Sequence, residues 1–234
     1  MKRGFLPYLA VIAAILAAAM LSGSLRGTFL PASGEGIDPL IYLDPGHGGE
    51  DGGACAADGT PESELNLEIS LRLRDLLRLC GLRTAMTREG DYALYDSACT
   101  TVAQKKSSDL RSRTALLNAC PEAILLSIHQ NFFPEGKYRG AQVFYNDGEG
   151  SMALSESIQE ALRQGVDPRN RRQIKRSERV YLMEQIQNTA ALVECGFLSN
   201  REEATLLQEA SYQQRIACGV CVGLMRYLYA QALL

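Results

Sequence analysis

The chain of 234 residues contains only two histidines, and each follows an apolar run. His47 sits in Leu43-Asp44-Pro45-Gly46-His47-Gly48-Gly49, directly after Leu40-Ile41-Tyr42-Leu43. His129 sits in Ser127-Ile128-His129-Gln130-Asn131, directly after Ala123-Ile124-Leu125-Leu126. An imidazole where a buried strand gives way to a loop is positioned to bind a metal or to act as a general base. Catalytic zinc takes three N and O ligands from the protein and keeps a fourth position open, so two histidines and a carboxylate would suit it. Asp44, Glu50, Asp51, Glu62, Glu64 and Glu194 are all candidates for that carboxylate. Spacing does not choose among them, because the ligands come from distant segments. No H-E-x-x-H helix is present, which excludes the thermolysin-type arrangement.

Glu62 and Glu64 lie two positions apart at an expected helix start, so their side chains point to different faces and would not share one ion. Pro61 suits a first helical turn, and either carboxylate would also be favourable against the helix dipole. Glu194 closes the apolar run Ala190-Ala191-Leu192-Val193. A carboxylate ending a buried strand is costly unless it is paired or functional. The structural alternative is a salt bridge to Arg113 or Arg201. The functional one is a proton carrier that serves water activated by zinc and then a leaving amine. The same ion would polarise an amide carbonyl.

The elements that must hold these residues read as alternating strands and helices over 38–234. Strands are expected at about 40–44, 82–87, 123–128, 140–145, 180–183 and 190–194. A helix near 62–80 carries Leu65, Ile69, Leu73, Leu76 and Leu77 on one stripe and ends before Gly81. After a polar loop from Arg88 to about Lys106, Ser108 or Asp109 would cap the next helix, which stops before Pro121. Further helices are expected near 151–164, 201–208 and 211–231. This alternation predicts an α/β fold: a single domain with a mostly parallel central sheet covered by helices on both faces. Sites in such sheets lie at the carboxyl ends of strands, where His47, His129 and Glu194 all fall.

Lys2 and Arg3 precede a nearly uncharged run from Gly4 to Ser24, the pattern of an export signal or membrane anchor. Residues 25–37 read as a tether and 38–234 as the catalytic domain. The net charge of −3 gives no electrostatic footprint for nucleic acid; the basic run Arg169 to Arg176 reads as a solvated surface. Of seven cysteines, Cys80, Cys120, Cys218 and Cys221 stand in apolar contexts and are expected as core thiols, and Cys218-Gly219-Val220-Cys221 lies within a helical pattern.

Leu43 to Gly49, Glu62-Ser63-Glu64-Leu65-Asn66-Leu67, Ser127 to Asn131 and Val193-Glu194-Cys195-Gly196-Phe197-Leu198-Ser199-Asn200 occur in that order. Together they resemble the zinc-dependent N-acetylmuramoyl-L-alanine amidases of the type 3 class, over about residues 38–231. The resemblance implies that Zn2+ is held by His47, Glu62 and His129, since the glutamate four positions before the Asn-Leu pair maps to Glu62. It implies that Glu194 is catalytic, and that the substrate is peptidoglycan, cut between muramic acid and L-alanine. Met86-Thr87-Arg88-Glu89-Gly90-Asp91-Tyr92, Lys105 to Arg113, Gly140 to Tyr145 and Tyr181-Leu182-Met183 further resemble the germination-specific, spore-cortex members. That likeness implies an exported enzyme, secreted or associated with the membrane through its N-terminus. Its expected role is to strip stem peptides on the way to muramic-δ-lactam. Separately, a lone catalytic domain without a wall-binding repeat makes an accessory activating protein an expected partner. Phe132-Phe133 departs from the small residues of the pattern, in reach of a peptide-side pocket, and Cys195 reads as a buried small residue. The alternatives are another zinc peptidoglycan hydrolase, such as a peptidase, or a non-catalytic wall-binding scaffold.

Overall fold

The computed structural model describes residues 39–232. Six strands form one sheet: β1 (Ile41–Pro45), β2 (Thr84–Met86), β3 (Ile124–Asn131), β4 (Gln142–Tyr145), β5 (Lys175–Arg176) and β6 (Ala190–Phe197). Their spatial order is β2-β1-β3-β6-β4-β5, parallel throughout except for the β4–β6 pair. The helices are α1 (Glu62–Leu79), α2 (Val102–Asn118), α3 (Ser151–Gly165), α4 (Tyr181–Gln185), α5 (Arg201–Leu207) and α6 (Ala210–Ala230).

The period-2 alternation of the strands divides the core in two. Ile41, Leu43, Leu126, Ile128, Ala191 and Val193 face the thick layer, where Leu65, Ile69, Leu73 and Leu77 of α1 join Leu154, Ile158 and Leu162 of α3 and Ile216, Val220, Leu224 and Leu228 of α6. Their i, i+4 spacing gives each helix the apolar stripe that the sheet covers. Tyr42, Leu125, Ala190 and Leu192 face the other way, onto a thinner layer built from Leu117 of α2 and Leu182 and Met183 of α4. Helices thus cover both faces, but unequally. Asp44, His129 and Glu194 share strand parity with the thin face, and β1 and β3 are the neighbours at which the strand order reverses.

Several elements differ from their expected form. The run Val180 to Met183 is not a strand: Tyr181–Gln185 is a short helix that buries the adjacent Leu182 and Met183, a use of a short apolar run that periodicity does not separate from a strand. Helix α2 begins at Val102, well before Ser108. Thr101 accepts from the Gln104 amide while the Gln104 side chain accepts from Thr101, so a capping box starts the helix in a polar stretch without an apolar stripe. Ser108 and Asp109 are buried inside it. β5 is a two-residue edge strand at the end of the basic run that reads as a solvated surface. Cys221 is buried, but Cys80 and Cys218 are exposed, because one caps the end of α1 and the other lies on the outer side of α6. The expected signal or anchor (1–24) and tether (25–37) lie outside the described residues, among which no helix is long and apolar enough to cross a membrane.

Candidate active site

Strand β1 ends in Pro45, and the Gly46 amide donates to Ile128 O of β3 (3.0 Å), which brings the two histidine segments together. His47 then turns back in the left-handed region (φ 61°). A Cβ on Gly46 would overlap the His129 ring, so only glycine lets the backbone pass there. Gly53 has φ 70°, and a Cβ on it would come within 2.6 Å of Glu62 Oε2 and 2.8 Å of His47 Cδ2.

Glu62, the first residue of α1, is buried beneath the two rings. Its Oε1 lies 3.4 Å from His47 Nε2 and 3.0 Å from His129 Nδ1, and the ring centroids are 5.2 Å apart, edge to face. One ligand atom from each of His47, Glu62 and His129 falls within 4.8 Å of the others, so the three could hold one metal ion. His47 and Glu62 carry further polar contacts. His47 Nδ1 is 3.0 Å from Asp51 Oδ2. Glu62 accepts from the backbone amides of Ala54 (3.0 Å) and Gln130 (3.1 Å) and from Asn66 Nδ2 (3.3 Å). Burial disfavours an ionised Glu62, but the hydrogen bonds and charges of His129 and His47 outweigh it and hold the carboxyl well below its usual range. Burial likewise works against a charged His47, yet Asp51 and Glu62 raise it to about 9. The cluster therefore attracts positive charge, a proton here and equally a cation.

Glu194 stands opposite His129 in the β3–β6 register. The residue is partly exposed, but Oε2 is sealed from solvent and has no hydrogen-bond partner. Desolvation, opposed by His129, raises its pKa from 4.5 to about 7. The alternative of a salt bridge fails. Arg113 is committed to Asp44 and Asp109, and no ion pair to Glu194 occurs among the described residues.

The other candidate carboxylates have separate tasks. Asp44 is buried and paired with Arg113 (2.6 Å), with Thr87 and Ser127 donating to it; Arg113 overcomes the cost of burial and holds it at about pKa 2. Asp51 orients His47, Glu50 pairs with Lys105, and Glu64 is exposed. Two fully buried arginines fix the histidine loop, a task not read from the chain, where Arg113 stood only as a salt-bridge partner for Glu194. Arg113 donates to the carbonyls of Pro45 (2.9 Å) and His47 (2.7 Å); Arg88 donates to those of Pro45 (3.0 Å), Gly46 (3.0 Å) and Ser63 (2.8 Å). Their only local signal was an arginine within an otherwise surface-like run. Cys195 is fully buried, and desolvation pushes its thiol far up. Phe132 and Phe133 are about half exposed, and Phe133 packs edge to face on Tyr138 (4.9 Å).

Residues 41–226 match the family of N-acetylmuramoyl-L-alanine amidases. The chain belongs to that family. It is 40% identical over 202 residues to the germination-specific N-acetylmuramoyl-L-alanine amidase of Bacillus subtilis, covering 85% of this chain and 81% of the relative. Among solved structures, the CwlD amidase of Clostridioides difficile, determined in complex with the GerS lipoprotein, superposes with a TM-score of 0.79 at 39% identity. That match covers 82% of this chain and 99% of the other. A further N-acetylmuramoyl-L-alanine amidase, from Clostridium difficile 630, gives 0.72 at 26% identity, covering 82% of this chain and 98% of the other.

Proposed function

We propose that this amidase is a zinc enzyme that hydrolyses the bond between N-acetylmuramic acid and L-alanine in the peptidoglycan of the spore cortex. The convergence of His47, Glu62 and His129 beside a buried, unpartnered Glu194 carries the reading. Two imidazoles and a carboxylate are a donor set that zinc accepts, with a fourth position left for water or substrate. The carboxylate of Asp51 on the far nitrogen of His47 is the kind of outer partner that orients a metal-binding imidazole. Zinc, when bound, supplies a Lewis acid that makes water acidic and polarises the amide carbonyl.

Glu194 supplies the proton transfers. In the metal-free chain desolvation holds this carboxyl at about 7, near the range where a general acid–base group works best. It takes a proton from the attacking water and returns it to the leaving L-alanine nitrogen. Arg88 and Arg113 hold the His47 loop rigid while this happens.

Identity of 40% to a germination-specific amidase supports a role in cortex maturation, where removal of stem peptides precedes muramic-δ-lactam formation. The charged, apolar and polar sequence of residues 1–37 supports export and tethering outside the cytoplasm. Similarity to an amidase solved with a lipoprotein supports an accessory protein as partner. Digestion of purified muropeptides with and without a zinc chelator, read by mass spectrometry, tests the reaction. Intact stem peptides beginning at L-alanine, lost on chelation, are the expected products. Cleavage within the stem, or no effect of the chelator, would overturn the proposal.

A further inference from the structure

The thin face of the sheet does not end at Glu194. Phe144 of β4 is paired with Leu192 of β6 on one side and with Lys175 of β5 on the other, so Leu192, Phe144 and Lys175 form a row across three adjacent strands. Side chains in such a row share one face of the sheet, here the face of Glu194. The row floors a groove of about 430 Å³ that has Glu194 at one end and is walled by Ser177 and Val180. A small pocket lined by His47 and His129 shares Val180 and Leu192 with it, so the groove adjoins the histidine site.

Two polar groups in the groove are unused. The Ser177 hydroxyl is buried without a hydrogen-bond partner, although its own amide is fixed to Tyr145 O (2.7 Å). Lys175 is exposed and has no ion-pair partner among the described residues, whereas the neighbouring Arg176 is held by Asp147. A buried hydroxyl left unpaired costs stability unless a ligand completes it.

Resting on the amidase reading, we propose that this groove binds the stem peptide on the leaving-amine side of the cut, with Lys175 pairing to a free stem carboxylate and Ser177 hydrogen-bonding the peptide. Charge decides the occupant. In the substrate the muramic acid carboxyl is consumed in the amide bond, so the glycan side is neutral and the free carboxylates lie along the peptide. Distance agrees. Two strand spacings separate β6 from β5, about 10 Å, which an extended peptide spans in about three residues. Lys175 therefore reads a carboxylate two to three residues beyond the scissile bond. Glu178 at the groove border repels a carboxylate placed elsewhere, which adds to the register.

The test compares the full-length enzyme with Lys175→Gln, Lys175→Arg and Ser177→Ala on two muropeptides, one with free and one with amidated stem carboxylates. The native enzyme should prefer the free form. Lys175→Gln should raise KM for that form about tenfold, leave the loss in KM rather than kcat, and erase the preference, while Lys175→Arg retains it. Ser177→Ala should raise KM for both substrates. An undiminished preference in Lys175→Gln, a loss confined to kcat, or an unaltered KM in Ser177→Ala would overturn the groove assignment. Failure of the native enzyme to release stem peptide from either substrate would overturn the amidase reading instead.

Discussion

Replacing Glu194 with glutamine should move activity and stability in opposite directions. Oε2 of the carboxyl is sealed from water without a partner, and the pKa of the group rises from 4.5 to about 7. The folded chain therefore keeps a proton at Glu194 over a range in which the unfolded chain has released it. By linkage, stability falls as pH rises from the unfolded value through about 7 and levels off above it. At about 1.4 kcal/mol per pKa unit, ionised Glu194 costs the metal-free fold up to about 3 kcal/mol at about pH 8.5 and close to nothing at about pH 4. Glu194→Gln keeps the shape and removes the titration. Urea unfolding in the presence of a chelator should show the variant gaining on the native chain as pH rises between those two values. Its kcat should fall by about 10²- to 10⁴-fold, the usual share of a general acid–base group, while zinc content after reconstitution is retained. A stability difference that is the same at both pH values would refute burial as the cause of the raised pKa. Surviving activity would refute Glu194 as the proton carrier.

Other substitutions probe the frame around it. Asp51→Asn should weaken zinc binding about 10- to 100-fold, measured by competition with a chelator, because His47 loses the carboxylate that orients it; unaltered affinity would remove that role. Asp44→Asn leaves Arg113 buried without its closest countercharge and should cost about 3–5 kcal/mol in urea unfolding. Because the Asp44 pKa is lowered, its contribution is present in the native chain above pH 3.8 and is lost as pH falls through about 2. Gly46→Ala drives a methyl group into the His129 ring and should abolish zinc retention, with far-UV circular dichroism like that of the native chain. Zinc bound at native affinity would show that the ring can move aside.

The sequence by itself determined the frame of this protein. Apolar runs and helical stripes specify a parallel α/β sheet, since each is a local pattern with a local cause. With only two histidines, both at strand ends, the candidate imidazole ligands were identifiable from the chain alone. Where local pattern failed, a stronger local device had replaced it: the Thr101–Gln104 capping box starts α2, and burial of adjacent Leu182 and Met183 makes α4 a helix. The residues alone left six carboxylates open, and a motif likeness singled out Glu62. Only tertiary structure gives the physical reason. Parallel register sets Glu194 beside His129, and the packing of α2 on the sheet brings Arg113 to Asp44. The Gly48 turn sends Asp51 to the back of His47, and the start of α1 tucks Glu62 beneath both rings while Glu64 faces solvent. Which carboxylate meets which partner depends on segments up to 69 residues apart, and no spacing within a single segment encodes that meeting.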